Sequence, residues 1–238
     1  MKLSVFFLLV LLLASLVAGG YYYIEDQHGK EKVALLEEKI NDLEFRAESL
    51  ENKNAQLSKE LEEKVAKISA EKEAEIKQLN EAQNKLVEEL KSEIEQKEIE
   101  ITQLADRLSV QLADKILFPS GKANLTDAGL KVLGRVGNII REVDDKIIRV
   151  EGHTDNVPIH PRLQEEFPSN WELSTARATN VVRFLQETVK VPPEKLEAVG
   201  LAEFYPVASN KTRAGRSKNR RIEIVLVPKD NVKAVAKK

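Results

Sequence analysis

The stretch VEGHTDNVPIHPRLQEEFPSNWELSTARATNVVRFL, Val150 to Leu185, passes from an apolar strand-like segment through a polar loop with three prolines into an amphipathic helix. It carries two of the chain's three histidines, His153 and His160, beside Asp155 and Arg177. That set of groups suits a catalytic centre, a metal site or a clamp for a charged ligand. The segments on either side decide between them.

Upstream, VQLADKILF (Val110 to Phe118) reads as a strand closed by a turn at Pro119 to Gly121. LTDAGLKVLGRVGNIIREV has helical apolar spacing with Thr126 or Asp127 as cap, and KIIRVEGHTD is an apolar strand with a polar end. Downstream, a helix is expected from about Trp171 to Val189, with Leu173, Ala176, Val181, Val182 and Leu185 on its apolar side. Pro192 and Pro193 punctuate, KLEAVGLAE gives a third strand and RRIEIVLVP an alternating fourth. This order predicts an α+β fold, a βαβαββ two-layer sandwich over residues 109–229 with helices on one face, followed by a basic tail, 230–238.

The first half of the chain is of another kind. Leu3 to Tyr23, LSVFFLLVLLLASLVAGGYYY, is uncharged and about as long as a helix that spans a bilayer core. Residues 1–24 are therefore expected to be a single-pass anchor, with Lys2 on the inner side and Tyr21, Tyr22 and Tyr23 at the outer interface. A cleaved signal peptide is the alternative, because Ala18 and Gly20 suit cleavage before Tyr21. Either way the remainder lies outside the cytoplasm. From Lys30 to Phe118 there is neither glycine nor proline, and apolar residues recur at four- and three-residue steps through Leu36, Ile40, Leu43, Ala47, Leu50, Leu57, Leu61 and Ile68. That is a coiled-coil seam with Asn54 as a register-setting polar member, and it predicts a homodimer through residues 25–108. The phase slips between Ser69 and Glu75, then resumes through Ile76, Leu79, Leu86 and Leu90 before drifting onto Ile94, Ile101, Leu104 and Leu108. Some 75 helical residues would span on the order of 110 Å.

Composition narrows the chemistry. With 37 basic against 39 acidic residues, nothing suggests bulk attraction to nucleic acid. The absence of cysteine removes disulfides, thiol nucleophiles, cysteine-ligated zinc and a lipid-attachment cysteine. His153 and His160 lack a third metal ligand at a suitable spacing, so no metal and no cofactor is expected. Glu165 and Glu166 are adjacent on a loop, without the opposed geometry of a glycosidase, and no nucleophile elbow, H-E-x-x-H or phosphate loop is present. The chain reads as a binder, not an enzyme.

EGHTDN, NWELSTARATNVVRFL and VGLAEFYPVASNKTRAGRSKNRRIEI together resemble the outer-membrane protein A-like peptidoglycan-binding domain, over Val110 to Val227. They carry its His-Thr-Asp segment, its Leu-Ser-x-x-Arg-Ala helix start and its Gly-Arg-x-x-Asn-Arg-Arg ending, in that order. Within that family the long loop and SNWELS are most similar to the flagellar motor stator B subunit. The resemblance implies non-catalytic binding of the peptide stem of peptidoglycan, in particular its zwitterionic diaminopimelate, by a periplasmic tether of the bacterial cell envelope, anchored in the inner membrane or secreted after cleavage. It assigns Asp155 to the ligand's ammonium and Arg177 to its carboxylate, with Asn170, Leu173, Asn219 and Arg221 shaping the pocket and Asn124, Thr126 and Asp127 as weaker candidates. A stator-like subunit of a motor or transport complex is the alternative. One departure counts against it: the first acidic residue is Glu25, outside the apolar run, so no ion relay is evident in the membrane.

Overall fold

The computed structural model describes residues 2–229; the expected basic tail, 230–238, lies outside the described residues. The chain divides into two units, Met1–Ser69 and Ala70–Lys238. Helix α1 (Lys2–Glu89) begins in the first and ends in the second.

Among the described residues of the first unit, α1 has no buried side chain. Its N-terminal part is long and apolar enough to cross a membrane. The seam side chains that follow, Leu36, Ile40, Leu43, Leu50, Leu57, Leu61 and Ile68, are all exposed, so this helix gains nothing from burial within its own chain.

In the second unit α1 meets the rest of the protein. Leu79, Leu86 and Leu90 are 0% exposed and join one core with Leu133, Val136 and Ile140 of α4 (Asp127–Ile140) and Val181 and Leu185 of α5 (Asn170–Glu187). These residues cover one face of a five-stranded sheet. The strands are β1 (Ile99–Leu104), β2 (Arg107–Ala113), β3 (Lys146–His153), β4 (Leu196–Ala202) and β5 (Arg221–Pro228). Their order is β1-β2-β5-β3-β4, antiparallel throughout except for the parallel pair β3 and β4. Parity fixes the faces: Leu108, Val110, Leu112, Ile222, Ile224 and Leu226 point to the core. Arg107, Ser109, Gln111, Glu223 and Val225 instead line a shallow groove on the opposite side.

The α+β class with helices over a mixed sheet is as the sequence predicts, and two boundaries differ. The helical region ends near residue 95, not 108: α1 is followed by a short α2 (Lys91–Glu95), a left-handed Lys97 (φ 57°) and then β1. The sheet accordingly has a fifth strand, and β1 and β2 form a hairpin closed at Ala105, also left-handed at φ 53°. The strand expected to run to Phe118 stops at Ala113, where one helical turn, α3 (Asp114–Leu117), begins.

A buried ion pair fastens α1 to the sheet. Lys146, at the start of β3, is 1% exposed, and its ammonium donates to Glu75 of α1 and to the Asp106 carbonyl. Burial alone would raise the Glu75 carboxyl, but the hydrogen bonds from Lys146 and Lys72 prevail and hold it below the ordinary glutamate value. Leu86 is thus a core residue of the domain. Leu86→Ala should destabilise it by about 3 kcal/mol, the cost of a cavity in a packed core, whereas Leu50→Ala should leave its unfolding unchanged; denaturant titration of both variants checks this.

Candidate ligand-binding site

Asp155 lies just past β3, where the pairing with β4 shifts register between Gly152 and His153. The Thr154 amide then donates to the Ala202 carbonyl at 2.9 Å, holding the strand extension in place. Arg177 lies in the second turn of α5, a helix started by a capping box in which Ser169 caps the first turn and Glu172 reaches back to the Ser169 amide at 2.7 Å.

These two charged groups are joined through two others. The Arg177 guanidinium, 3% exposed, donates from Nε to the Lys122 carbonyl at 2.9 Å and forms an ion pair from Nη1 with Asp114 Oδ1 at 2.9 Å. The Phe118 ring lies 4.9 Å from its Cζ, a cation-π contact. Asp114 begins α3, its amide donates to the Arg220 carbonyl at 3.1 Å, and its Oδ2 lies 3.7 Å from Arg220 Nε. Arg220, between α6 (Arg213–Asn219) and β5, donates from Nη1 to Asp155 Oδ2. Guanidinium and carboxylate therefore alternate: Arg177, Asp114, Arg220, Asp155. Burial raises the Asp114 carboxyl above the usual aspartate value against the opposing pull of Arg177 and Arg220. Burial likewise lowers Arg177, and Asp114 acts in the other direction.

The remaining expected residues divide. Asn170 supports the site: its side-chain amide donates to the carbonyls of Asp155 and Val157, both at 3.2 Å, fixing the start of the 156–169 loop. Leu173 packs with Ala123 and Phe167 in a small apolar cluster beneath that loop. Asn219, 0% exposed, organises a neighbouring loop by accepting from the amides of Val207 and Ala208 and donating to Ala208 and Asn210. Thr126 caps α4, accepting from Gly129 at 3.0 Å, and its hydroxyl donates to the Ile116 carbonyl. Arg221 does not join the cluster. It contacts Glu223 and the Tyr205 and Asn219 carbonyls, each at 3.4 Å, on the groove side of the sheet.

Sequence reasoning missed Asp114 and Arg220. Neighbouring residues of an extended chain project to opposite sides, so only one of Arg220 and Arg221 can reach Asp155. The register of β5 against β3, with Arg221 opposite His153, decides which. No spacing within the Asn-Arg-Arg run contains that information.

Residues 117–220 match the OmpA family. Motility protein B of Bacillus subtilis is 36% identical over 151 residues, 60% of this chain and 57% of that protein. Peptidoglycan-binding protein ArfA of Mycobacterium bovis is 34% identical over 111 residues, 47% of this chain and 32% of its own. Among solved structures, the cell wall anchor of the T6SS from Pseudomonas aeruginosa aligns with a TM-score of 0.54 and 33% identity, covering 60% of this chain and 96% of that one. The chain spans about half the length of the curated relatives it matches. None of these names describes an enzyme. The OmpA-like domain is thus reached from two directions, the motifs of the sequence and the family match.

The site depends on a close approach between β3 and α5. A Cβ at Gly152 would lie 2.2 Å from the Ser174 carbonyl oxygen and 2.9 Å from its carbon, both backbone atoms that cannot swing aside. Gly152→Ala should therefore push α5 off β3 and destabilise the domain by about 2 kcal/mol in denaturant titration, although residue 152 touches no charged member of the site.

Proposed function

We propose that this protein is a non-catalytic tether whose OmpA-like domain binds peptidoglycan through the zwitterionic end of a diaminopimelate-type stem residue. The observation that carries the reading is the alternating chain of Arg177, Asp114, Arg220 and Asp155. A ligand with an ammonium and a carboxylate presents the same two charges as one internal pair, so it can exchange with that pair without leaving a charge unmatched. Arg220 is the group suited to yield: its side chain is 37% exposed, against 9% for Asp155 and 4% for Arg177. As Arg220 swings out, the ligand ammonium takes its place on Asp155 and the carboxylate meets the freed Arg220 guanidinium rather than Arg177, the partner expected from the sequence, which Asp114 and the Lys122 carbonyl already engage. The names of ArfA and of the T6SS anchor support wall binding as the role of this domain in similar proteins.

The first unit supplies the anchor and the partner in this proposal. Its apolar N-terminal helix holds the inner membrane, the C-terminal domain faces the periplasm, and the exposed seam pairs with a second copy. A stator-like role draws support from the similarity to Motility protein B. The apolar run, without an acidic residue before Glu25, offers no ion carrier for it.

The binding test is retention on purified sacculi. Asp155→Asn and Arg220→Gln should each lower retention at least about tenfold while thermal unfolding stays cooperative, because one half of a charge-matched site is lost. Free diaminopimelate should compete, and sacculi with lysine in its place should bind more weakly. Wild-type retention by both variants would remove the clamp. Arg177→Ala is a poorer probe, since it strands a buried Asp114 and costs about 3 kcal/mol of stability.

The pairing test is separate. Replacing Leu43 and Leu50 by lysine should convert a dimer to a monomer in analytical ultracentrifugation of the full chain in detergent, and an unchanged mass would exclude the seam as the dimer contact.

A further inference from the structure

The groove side of the sheet holds a second cluster, distinct from the charge chain. Glu151 of β3 and Glu223 of β5 are directly opposite in the antiparallel register, and His153 is opposite Arg221 in the next pair on the same face. Two carboxylates at facing positions repel, an arrangement that antiparallel sheets avoid unless something positive lies between them. Arg221 neutralises only part of the pair. Its contact with Glu223 is long, at 3.4 Å, and its Nε has no hydrogen-bond partner among the described residues.

His153 is the independent sign of a ligand. It is 3% exposed, and neither ring nitrogen has a hydrogen-bond partner among the described residues. Buried polar side chains rarely stay unpaired, because the desolvated nitrogen costs free energy that no contact returns. Nε2 lies 3.8 Å from a Glu151 oxygen, beyond hydrogen-bonding reach. One ligand atom each from Glu151, His153 and Glu223 fall within 4.8 Å of one another. Two ligands sharing one tetrahedral zinc ion stand about 3.4 Å apart, so small side-chain rotations close the site.

We propose that Glu151, His153 and Glu223 form a binding site for a divalent transition-metal ion, zinc being the best match to one imidazole with two carboxylates. The two glutamates and Arg221 sum to one negative charge, leaving net attraction for a dication. Three protein ligands leave the fourth position to water. The ion would tie the end of β3 to the first residues of β5, with His153 two residues from Asp155 and Glu223 three from Arg220, and so would stiffen from behind the backbone that carries both. Spacing along the sequence conceals this site, because Glu223 reaches the other two only through strand pairing.

Full-length protein in detergent, stripped with chelator and dialysed against zinc chloride, tests the proposal by metal content. The expected result is one saturable zinc per chain and a raised melting temperature. Glu151→Gln and Glu223→Gln keep the side-chain shape and should each weaken zinc binding at least about tenfold, with folding monitored by circular dichroism. His28→Ala combined with His160→Ala should leave uptake unchanged, since both residues lie outside the cluster. Failure of the wild-type chain to take up zinc saturably would overturn the site, as would full uptake by a Glu151→Gln, Glu223→Gln double variant.

Discussion

A guanidinium buried as deeply as that of Arg177, a residue 3% exposed, must find a carboxylate, and this requirement organises much of the domain. Asp114 answers it, which requires β2 to end at Ala113 and turn into α3. Asp114 also takes part of Arg220, and Arg220 takes Asp155. Four separate stretches of chain, the ends of β2 and β3, the second turn of α5 and the start of β5, are thereby set against one another by charge. Such a network is costly to bury and costly to break singly, which makes it a poor stability device.

Apolar packing provides the rigidity that the charges lack. The last turns of α1 lie over the sheet beside α4 and α5, and Glu75 neutralises Lys146 at the foot of β3. At Gly152 and Gly200 the start of α5 approaches the sheet so closely that a side chain on either strand would meet the backbone of Ser174 or Thr175. The turn before Arg177 thus lies against the strand backbone itself.

The sequence made most of this legible, and the failures have specific causes. The apolar run of KIIRVEGHTD, the alternation of RRIEIVLVP, the cap at Thr126 and the helical spacing from about Trp171 translate directly into β3, β5, α4 and α5. β1 escaped notice because its boundaries are made by Lys97 and Ala105 in left-handed conformations, where glycine or asparagine would have announced a turn. The helix-like drift through Ile94, Ile101 and Leu108 was in truth a change of period, with Ile99, Leu108, Val110 and Leu112 all buried on one sheet face. Asp155, Arg177 and Asn170 stood out by motif; Asp114 did not, and Arg220 stood in the Asn-Arg-Arg run with nothing to set it above Arg221, since strand pairing, not spacing, brings it in. Arg221 lies on the opposite face of the sheet by one residue of parity.

The slip in the heptad pattern after Ser69 falls at the boundary between the two units. Before it, apolar side chains keep a seam open to solvent; after it, Leu79, Ala82, Leu86 and Leu90 belong to the head's own interior. The length of the first unit is therefore not set by the packing of the second. Whole heptads can be gained or lost ahead of Ser69 while the contacts that bury Leu79, Leu86 and Leu90 persist. A single codon inserted between Leu79 and Leu86 has no such latitude: it turns the preceding helix by about 100° and carries Leu79 off the sheet.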